Sequence, residues 1–230
     1  LSNNYFKDLK KFNWYKPKEE LKPNPNTFFR TLTQNSPPST AFVIDGGGTA
    51  LYVGFQSTFI KKNQRIICSS AISSMGSGLA EVIGIHSAKK FKQLICIIGD
   101  GSFLMNIQDL QNIRAKNIFV IICVINNNGY LAIRNTQTEF LSKRFYGTHP
   151  EWSLEMPTIE KLAFGFDIPF FKINDKNSTS KIINSLLACE GPVICEVDVD
   201  EDVSELFKQG YKSNVDGTFS PLPLSEMITS

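Results

Sequence analysis

Two short polar segments each follow an apolar run and carry residue types suited to binding a metal ion or a phosphate. Residues 94–98 (LICII) are followed by 99–102 (GDGS), and residues 119–125 (FVIICVI) are followed by 126–129 (NNNG). Carboxylate, amide and backbone carbonyl oxygens are the ligands that Mg²⁺ and Ca²⁺ prefer in proteins. The two segments are therefore candidates for one divalent-cation site.

The spacing allows both segments to reach the same site. Asp100 and Asn127 are 27 positions apart, which leaves room for one helix and one strand. In a parallel sheet such a crossover returns the chain to the same edge, where ligands bind. Asn128 followed by Gly129 is also typical of a hairpin turn. The run before it is apolar on both faces and the segment after it does not alternate, which argues against a hairpin.

The GDGS segment has features of a phosphate site. Gly99 and Gly101 permit a tight turn and a close approach of a ligand to the backbone. Ser102 could cap a helix that begins at Phe103, whose free N–H groups would attract an anion. Asp100 would repel a phosphate unless a divalent cation lay between them. Taken alone, the motif is more often an ordinary turn with a helix cap.

Two other candidate strands end in similar residues. Residues 41–44 are followed by 45–50 (DGGGTA), and residues 65–68 are followed by 69–78 (SSAISSMGSG). The first of these loops is a weak phosphate cradle, and neither a P-loop nor a GxGxxG motif is present. Four consecutive strand ends rich in Gly, Ser, Asp and Asn predict a ligand site more strongly than any single motif.

The apolar pattern predicts alternating strands and helices. The strands are continuous apolar runs, so both faces of the sheet should be buried under helices. We expect a three-layer α-β-α fold, with a mostly parallel sheet of about six strands and helices on both faces. Strands are predicted at 41–44, 65–68, 94–98, 119–125, 169–173 and 192–197, and helices at 27–33, 49–60, 76–90, 103–116, 158–164 and 178–188.

Composition excludes several classes of protein. The 230 residues carry 24 Lys and Arg against 22 Asp and Glu, a net charge of +2. This near-neutral balance gives no electrostatic case for nucleic acid, and no apolar run approaches the length of a membrane span. The five cysteines form no CxxC pair, and His86 and His149 lack metal-ligand spacing. We expect reduced thiols and a cytoplasmic protein.

Composition also suggests three regions. Residues 1–25 are rich in Lys, Asn and Pro and are predicted to be a linker or arm. Residues 26–200 are predicted to form the ligand-binding domain, and the more polar residues 201–230 a tail that wraps its surface. The chain begins at Leu1 rather than Met, so we expect it to be cut from a longer protein or to be one subunit of a split enzyme.

Taken together, these residues resemble the cofactor motif of thiamine diphosphate enzymes. The blocks SSMGSGLAEVIG, GDGSFLMNIQDLQNI, VINNNGYLAIRNTQ, TIEKLAFGFDIP and GPVICEVDVD are similar to the C-terminal, diphosphate-binding domain of the acetolactate synthase-like group. The resemblance covers roughly residues 26–225.

The resemblance implies a set of site residues. Asp100 and Asn127 would bind Mg²⁺ through side-chain oxygens and Gly129 through its carbonyl. The Ser73 carbonyl would accept from the cofactor's amino group, and Met75 would hold the cofactor in a bent conformation, although plain core packing also explains Met75. The implied cofactor-binding residues are Gly47, Gly48, Thr49, Ser73, Met75, Gly99, Gly101, Ser102, Asn127, Gly129 and Tyr130.

The resemblance also implies an activity and partners. The chain would bind the diphosphate of thiamine diphosphate as part of a 2-oxo acid decarboxylase or carboligase, a lyase or transferase. The activating Glu would come from a pyrimidine-binding domain of the same or another subunit, so no catalytic residue is expected in this chain. FAD is not expected on it. A homo-oligomer, dimer or tetramer, is expected.

Departures from the family leave the substrate open. Acetolactate synthases carry a Trp where Thr136 or a neighbour stands, and simple pyruvate decarboxylases carry a Glu where Ile133 stands. Arg134, Asn135 and Gln137 could line the substrate pocket, or they could belong to a solvated loop. Two alternatives remain: a subunit of a split 2-oxo acid decarboxylase or oxidoreductase, and a non-catalytic regulatory or scaffold domain that retains the fold.

Overall fold

The computed structural model describes residues 22–69, 71–201, 207–208, 210–223 and 228–229. They divide into two units: residues 22–201, and the described segments that follow them. The second unit contains two short antiparallel strand pairs, Tyr211–Ser213 with Phe219–Pro221 and Phe207–Lys208 with Ile228–Thr229. The predicted arm spans residues 1–25, and residues 1–21 lie outside the described part of the chain. That residues 201–230 form a tail that wraps the surface stays a prediction.

The larger unit is built on the predicted parallel sheet. Its six strands lie in the order β2-β1-β3-β4-β6-β5, and every neighbouring pair is parallel. The strands are β1 (Thr40–Ile44), β2 (Arg65–Ile67), β3 (Gln93–Gly99), β4 (Val120–Asn126), β5 (Phe170–Ile173) and β6 (Val193–Asp198). All six predicted strands are present, and the predicted fold class is confirmed.

Helices cover both faces of this sheet. The helices are α1 (Pro25–Asn35), α2 (Gly48–Ser57), α3 (Ser77–Ser87), α4 (Asp100–Met105), α5 (Asp109–Ala115), α6 (Leu131–Phe140), α7 (Ile159–Gly165) and α8 (Thr179–Leu187). Alternate residues of each strand enter two separate hydrophobic clusters. One cluster contains side chains of α1, α2 and α8, and the other contains side chains of α3, α4, α5 and α7.

The central strands β3 and β4 are almost entirely apolar because both of their faces are buried. In β4, for example, Ile121 and Cys123 enter the first cluster, whereas Ile122 and Val124 enter the second. All five cysteines of the chain are free. Burial raises the pKa of the Cys123 thiol well above its usual range. Within the described segments, no helix is long and apolar enough to cross a membrane.

The predicted helix 103–116 is wrong in its start and its continuity. The structure has two helices there, and the first begins at Asp100 with Gly99 as its N-cap. Ser102 therefore lies inside α4 and does not cap it. The chain leaves helical geometry at Asn106, whose side-chain amide donates to the Gly76 carbonyl at 2.9 Å. That bond joins the break between the helices to the loop before α3.

Sequence analysis assigned no helix to residues 131–140, where the structure places α6. The buried positions of α6 are Leu131, Arg134 and Gln137. They recur at a helical spacing of three, but two of them are polar. The apolar periodicity by which an amphipathic helix is identified is therefore absent from this segment.

The buried hydroxyl of Thr33 joins α1 to the segment that follows α2. Thr33 Oγ1 donates to the Phe29 carbonyl at 2.7 Å and accepts from the Phe59 backbone N–H at 2.9 Å. We expect Thr33→Val, which keeps the shape and removes both bonds, to lower the free energy of unfolding by about 1 kcal/mol. Urea unfolding measures this change. Thr31→Val on the same helix is the matched control, and an equal loss in both variants would contradict the prediction.

Candidate functional site

The carboxyl ends of β1, β3 and β4 surround one cleft. It brings together every predicted cofactor-binding and metal-binding residue except Ser73, and adds three residues from the start of α6. The lining residues are Gly47, Gly48, Thr49, Met75, Gly99, Asp100, Gly101, Ser102, Asn127, Gly129, Tyr130, Leu131, Ala132 and Ile133. Residues that follow the predicted strand ends therefore line the same cleft.

Asp100 is the only carboxylate among the lining residues, and it is buried. Its side-chain oxygens accept from the backbone N–H groups of Gly101 and Gly129, each at 2.8 Å. Burial raises the pKa of Asp100 to about 6, and the two backbone hydrogen bonds and the charge of Arg134 offset part of that rise. A cation bound beside this carboxylate would favour its ionised form.

Asn127 presents an oxygen that has no partner. Its side-chain Nδ2 donates to Thr49 Oγ1 at 2.9 Å, which orients the amide. Its Oδ1 is buried and accepts no hydrogen bond in the described structure. A buried acceptor without a partner costs free energy, so a native one calls for an explanation. A divalent cation in the cleft would supply the missing partner.

The loop between Asn126 and Gly129 has a fixed and unusual shape. Asn128 has a φ of 61° and Gly129 a φ of 123°, both in the left-handed half of conformational space. Asn126 Oδ1 accepts from the Asn128 backbone N–H at 3.0 Å, and Asn126 Nδ2 donates to Glu196 Oε1 at 2.8 Å. Asn126 thus shapes the loop, whereas Asn127 faces the cleft.

Sequence analysis missed Glu196, a buried residue of β6. Its carboxylate accepts from Asn126 and also from Lys172 Nζ, the latter at 3.0 Å. Nothing in the local sequence pairs Glu196 with Asn126, because the two residues are 70 positions apart. The only signal was a charged residue between the apolar residues Cys195 and Val197.

Asp45, also not predicted as a site residue, organises the loop after β1. It is fully buried, and it accepts from the backbone N–H groups of Gly47 at 3.1 Å and Gly78 at 2.9 Å. These bonds join the glycine-rich loop to the first turn of α3. The loop is therefore fixed before any ligand binds.

Two glycines of the cleft bring the backbone close to their neighbours. A Cβ at Gly47 would lie 2.3 Å from Ser102 Oγ, and a Cβ at Gly101 would lie 2.3 Å from Tyr130 Cε1. Neither position has room for a side chain. The absence of a Cβ at each position lets a neighbouring side chain, Ser102 or Tyr130, lie directly against the backbone of the cleft wall.

The loop before α3 places Met75 in the cleft wall but not Ser73. Ser73 has a φ of 53°, and its carbonyl carbon would lie 2.4 Å from a Cβ at Gly46. The backbones of the two loops therefore pack directly against each other. The roles assigned to the Ser73 carbonyl and the Met75 side chain stay predictions.

The three residues expected near the substrate, Arg134, Asn135 and Gln137, do not line this cleft. Arg134 donates to four backbone carbonyls, and Gln137 accepts from Thr148 Oγ1 at 2.5 Å. Their assignment to a substrate pocket stays a prediction. Both buried side chains bind other parts of the chain.

The donor set fits a hard divalent cation. In the described parts of the chain, no three His, Cys, Asp or Glu side chains come together as a metal-binding group. A cation in the cleft would instead be held by one carboxylate, one amide oxygen and a backbone carbonyl, all oxygens as Mg²⁺ requires.

Comparisons with known proteins identify the family to which this chain belongs. The family model of the thiamine pyrophosphate enzyme C-terminal TPP binding domain matches residues 45–197. The acetolactate synthase large subunit of Porphyra purpurea is 29% identical over 201 residues, 86% of this chain and 33% of that protein. The isozyme 2 large subunit of Escherichia coli (strain K12) is 27% identical over 172 residues, 75% of this chain and 31% of that protein.

The chain spans about a third of the length of these relatives. The family match covers more than half of the chain and runs from Asp45 to Val197 in β6. It includes all four strand ends from which the site was predicted. The chain therefore belongs to the thiamine pyrophosphate enzymes, in their acetolactate synthase-like group, through the C-terminal domain that binds thiamine pyrophosphate.

Proposed function

We propose that this chain binds the diphosphate of thiamine diphosphate through Mg²⁺, as part of a 2-oxo acid decarboxylase or carboligase. Asp100 and Asn127 would hold the metal through side-chain oxygens, and Gly129 through its carbonyl. The observation that carries this proposal is the buried, unpartnered Oδ1 of Asn127 in the same cleft as Asp100. The carboxylate alone would repel a diphosphate, whereas the metal would join the two.

Backbone groups of the cleft would bind the diphosphate oxygens that the metal does not reach. Gly47, Gly101 and Ser102 line the cleft, and they would contribute backbone groups and the Ser102 hydroxyl. The ten-residue helix α2 begins at Gly48 in the cleft wall. The N–H groups of a helix's first turn lack partners within the helix and favour an anion.

Apolar residues would surround the part of the cofactor that lies beyond its diphosphate. Thiamine diphosphate, when bound, would supply a nucleophilic carbon for the 2-oxo acid and a sink for the electron pair that departing CO₂ leaves behind. Met75, Leu131 and Ile133 line the cleft and would exclude water from that part of the site. Tyr130 packs beside Gly101 and would close one side.

The remaining parts of the reaction are assigned to partners. The Glu that activates the cofactor would come from a pyrimidine-binding domain of the same or another subunit, and the working assembly would be a dimer or tetramer. The acetolactate synthases named above support a 2-oxo acid as substrate. A purely structural scaffold would gain nothing from the unpartnered Asn127 oxygen, which argues for the catalytic alternative.

Thermal melting tests the metal-dependent site directly. We expect Mg²⁺ with pyrophosphate, and Mg²⁺ with thiamine diphosphate, to raise the Tm, and either anion in EDTA to leave it unchanged. Saturation to 100 times the Kd stabilises the native state by about 2.7 kcal/mol. Similar shifts with both anions would assign binding to the diphosphate. An unchanged Tm with both anions at millimolar Mg²⁺ would contradict the proposal.

A further inference from the structure

A buried guanidinium lies behind the loop that would hold the metal. Arg134 on α6 is 4% exposed. Its Nη2 donates to the Asn127 carbonyl at 2.9 Å, and its Nη1 donates to the Asn128 carbonyl at 3.1 Å. Two successive carbonyls of the loop are thus bound by one planar group.

The same guanidinium binds two further segments. Nη1 also donates to the Thr148 carbonyl at 2.9 Å, and Nη2 donates to the Glu201 carbonyl at 3.0 Å. Glu201 in turn accepts from Asn128 Nδ2 at 2.7 Å. The loop is therefore fixed to the segment before the 3₁₀ turn at 150–152 and to the segment after β6.

The other side of the loop is held by the proposed metal ligand itself. The Gly129 N–H donates to Asp100 Oδ2 at 2.8 Å, on the side of the cleft. The loop thus lies between Asp100, which binds its N–H, and Arg134, which binds its carbonyls. Arg134 occupies the Asn127 carbonyl, and the Asn127 side chain has the unpartnered oxygen in the cleft.

We infer that Arg134 is a positioning residue for the metal site, which sets the loop so that Asn127 Oδ1 and the Gly129 carbonyl meet the cation. This inference rests on the proposed function. Arg134 does not line the cleft, so it acts through the loop and not on the ligand. Lysine cannot replace it, because one ammonium lacks the planar fork of donors that binds several carbonyls at fixed angles.

Affinity for Mn²⁺ tests the inference with a readout other than activity. The full chain is equilibrated by dialysis against Mn²⁺ and pyrophosphate, and the Mn²⁺ on the protein side in excess of that on the other side is the metal bound to the protein. We expect Arg134→Lys and Arg134→Gln to weaken Mn²⁺ binding by about tenfold or more, the usual loss when a support of a metal ligand is removed. The Tm in EDTA is recorded for each variant.

Thr148→Val supplies the matched control. It removes the Thr148 hydroxyl bonds to Gln137 and to the Phe145 carbonyl, but keeps the backbone carbonyl that Arg134 binds. We expect this variant to lose thermal stability while its Mn²⁺ affinity stays within about twofold of wild type.

The possible outcomes distinguish a failure of this inference from a failure of the proposed function. Wild-type protein that binds no Mn²⁺ would contradict the proposed function. Wild-type binding that both Arg134 variants retain at full strength would overturn only the inference. It would also be overturned if Thr148→Val weakened Mn²⁺ as much as they do, or if neither Arg134 variant melted cooperatively in EDTA, because the arginine would then serve the fold as a whole.

Discussion

Asp100→Asn is expected to weaken Mg²⁺-dependent binding of pyrophosphate at least about 100-fold at pH 7, or roughly 2.8 kcal/mol. Asparagine keeps the size of the side chain but carries no negative charge for the cation. It also places an NH₂ group where a carboxylate oxygen accepts from Gly101 or Gly129. Both changes act on the donor set that Mg²⁺ would use.

Calorimetric titration of Mg²⁺ and pyrophosphate into wild type and variant measures this loss. Asp109→Asn, at the start of α5 and outside the cleft, removes the same charge and should leave the affinity within about twofold. Equal affinities in wild type and Asp100→Asn would rule out Asp100 as a metal ligand.

In the absence of metal, Asp100→Asn is expected to become more stable than wild type as the pH rises. Burial raises the pKa of Asp100 from its ordinary value of 3.8 to about 6. Between these values the folded state binds more protons than the unfolded state, so stability falls as pH rises. The stabilising contribution is complete below about pH 4 and is lost through pH 6, on the order of 3 kcal/mol in all.

Urea unfolding in EDTA at several pH values between 4 and 7 checks this sign. Asp100→Asn cannot titrate, so we expect it to gain stability relative to wild type across that range. Mg²⁺ with pyrophosphate should restore the wild-type protein at pH 7, because the cation compensates the buried charge. A stability difference between the two proteins that stays constant with pH would show that Asp100 titrates normally in the folded state.

The core of the fold was predictable because its signal is local. Residues of β3 and β4 are apolar on both faces, which is typical of buried parallel strands. Once the strands are parallel, their carboxyl ends must meet at one edge. The convergence of Asp100 and Asn127 in one cleft follows from topology and needs no knowledge of side-chain contacts.

The polar interior was not predictable, because its partners are distant in the chain. Arg134 sits at a helical position that an apolar pattern cannot identify, and its hydrogen-bond partners run from Asn127 to Glu201. Glu196 and Asp45 are buried acidic residues. Their hydrogen-bond partners, Asn126 and Gly78, are distant in the chain and come close only when it folds. An apolar pattern shows which apolar residues are buried, but not which polar residues are buried with them or which groups bind those polar residues.

Ser102 illustrates the limit at a single position. Serine before an apolar run is a common helix cap, and this pattern predicted a helix start at Phe103. The helix instead begins at Asp100, because Gly99 is extended and the acidic residue occupies the first turn. Acidic side chains are favourable at that position. The same residues are compatible with a helix that begins at Phe103 or at Asp100, and in the folded chain the helix begins at Asp100.

Gly46→Ala is expected to disrupt both the fold and the cleft. A Cβ at this position would lie 2.4 Å from the carbonyl carbon of Ser73 and 2.5 Å from its oxygen. These are backbone atoms, so no side chain can rotate away to relieve the contact. On the other side, the neighbouring Asp45 is bound to the N–H groups of Gly47 and Gly78. One of the two loops must therefore move.

We expect this variant to lose about 3 kcal/mol of unfolding free energy, near the upper end of the range for overpacking. Urea unfolding in EDTA measures the loss. Gly84→Ala on the exposed side of α3 is the matched control, since a Cβ there meets nothing within 4 Å. It should instead stabilise the protein by about 0.5 to 1 kcal/mol, because alanine favours a helix over glycine. Equal stability of Gly46→Ala and wild type would contradict the close packing of the loops.

Ligand binding by the folded fraction of Gly46→Ala then separates two functions of the loop before α3. If the loop before α3 is the one that moves, it carries Ser73 and Met75 with it, whereas Asp100 and Asn127 directly follow β3 and β4. We expect pyrophosphate with Mg²⁺ to contact only the metal end of the cleft, and thiamine diphosphate to contact the wall at Met75 as well. A loss of affinity for thiamine diphosphate that exceeds the loss for pyrophosphate would assign Ser73 and Met75 to the cofactor. Equal losses would instead indicate that the loop only supports the glycine-rich segment after β1.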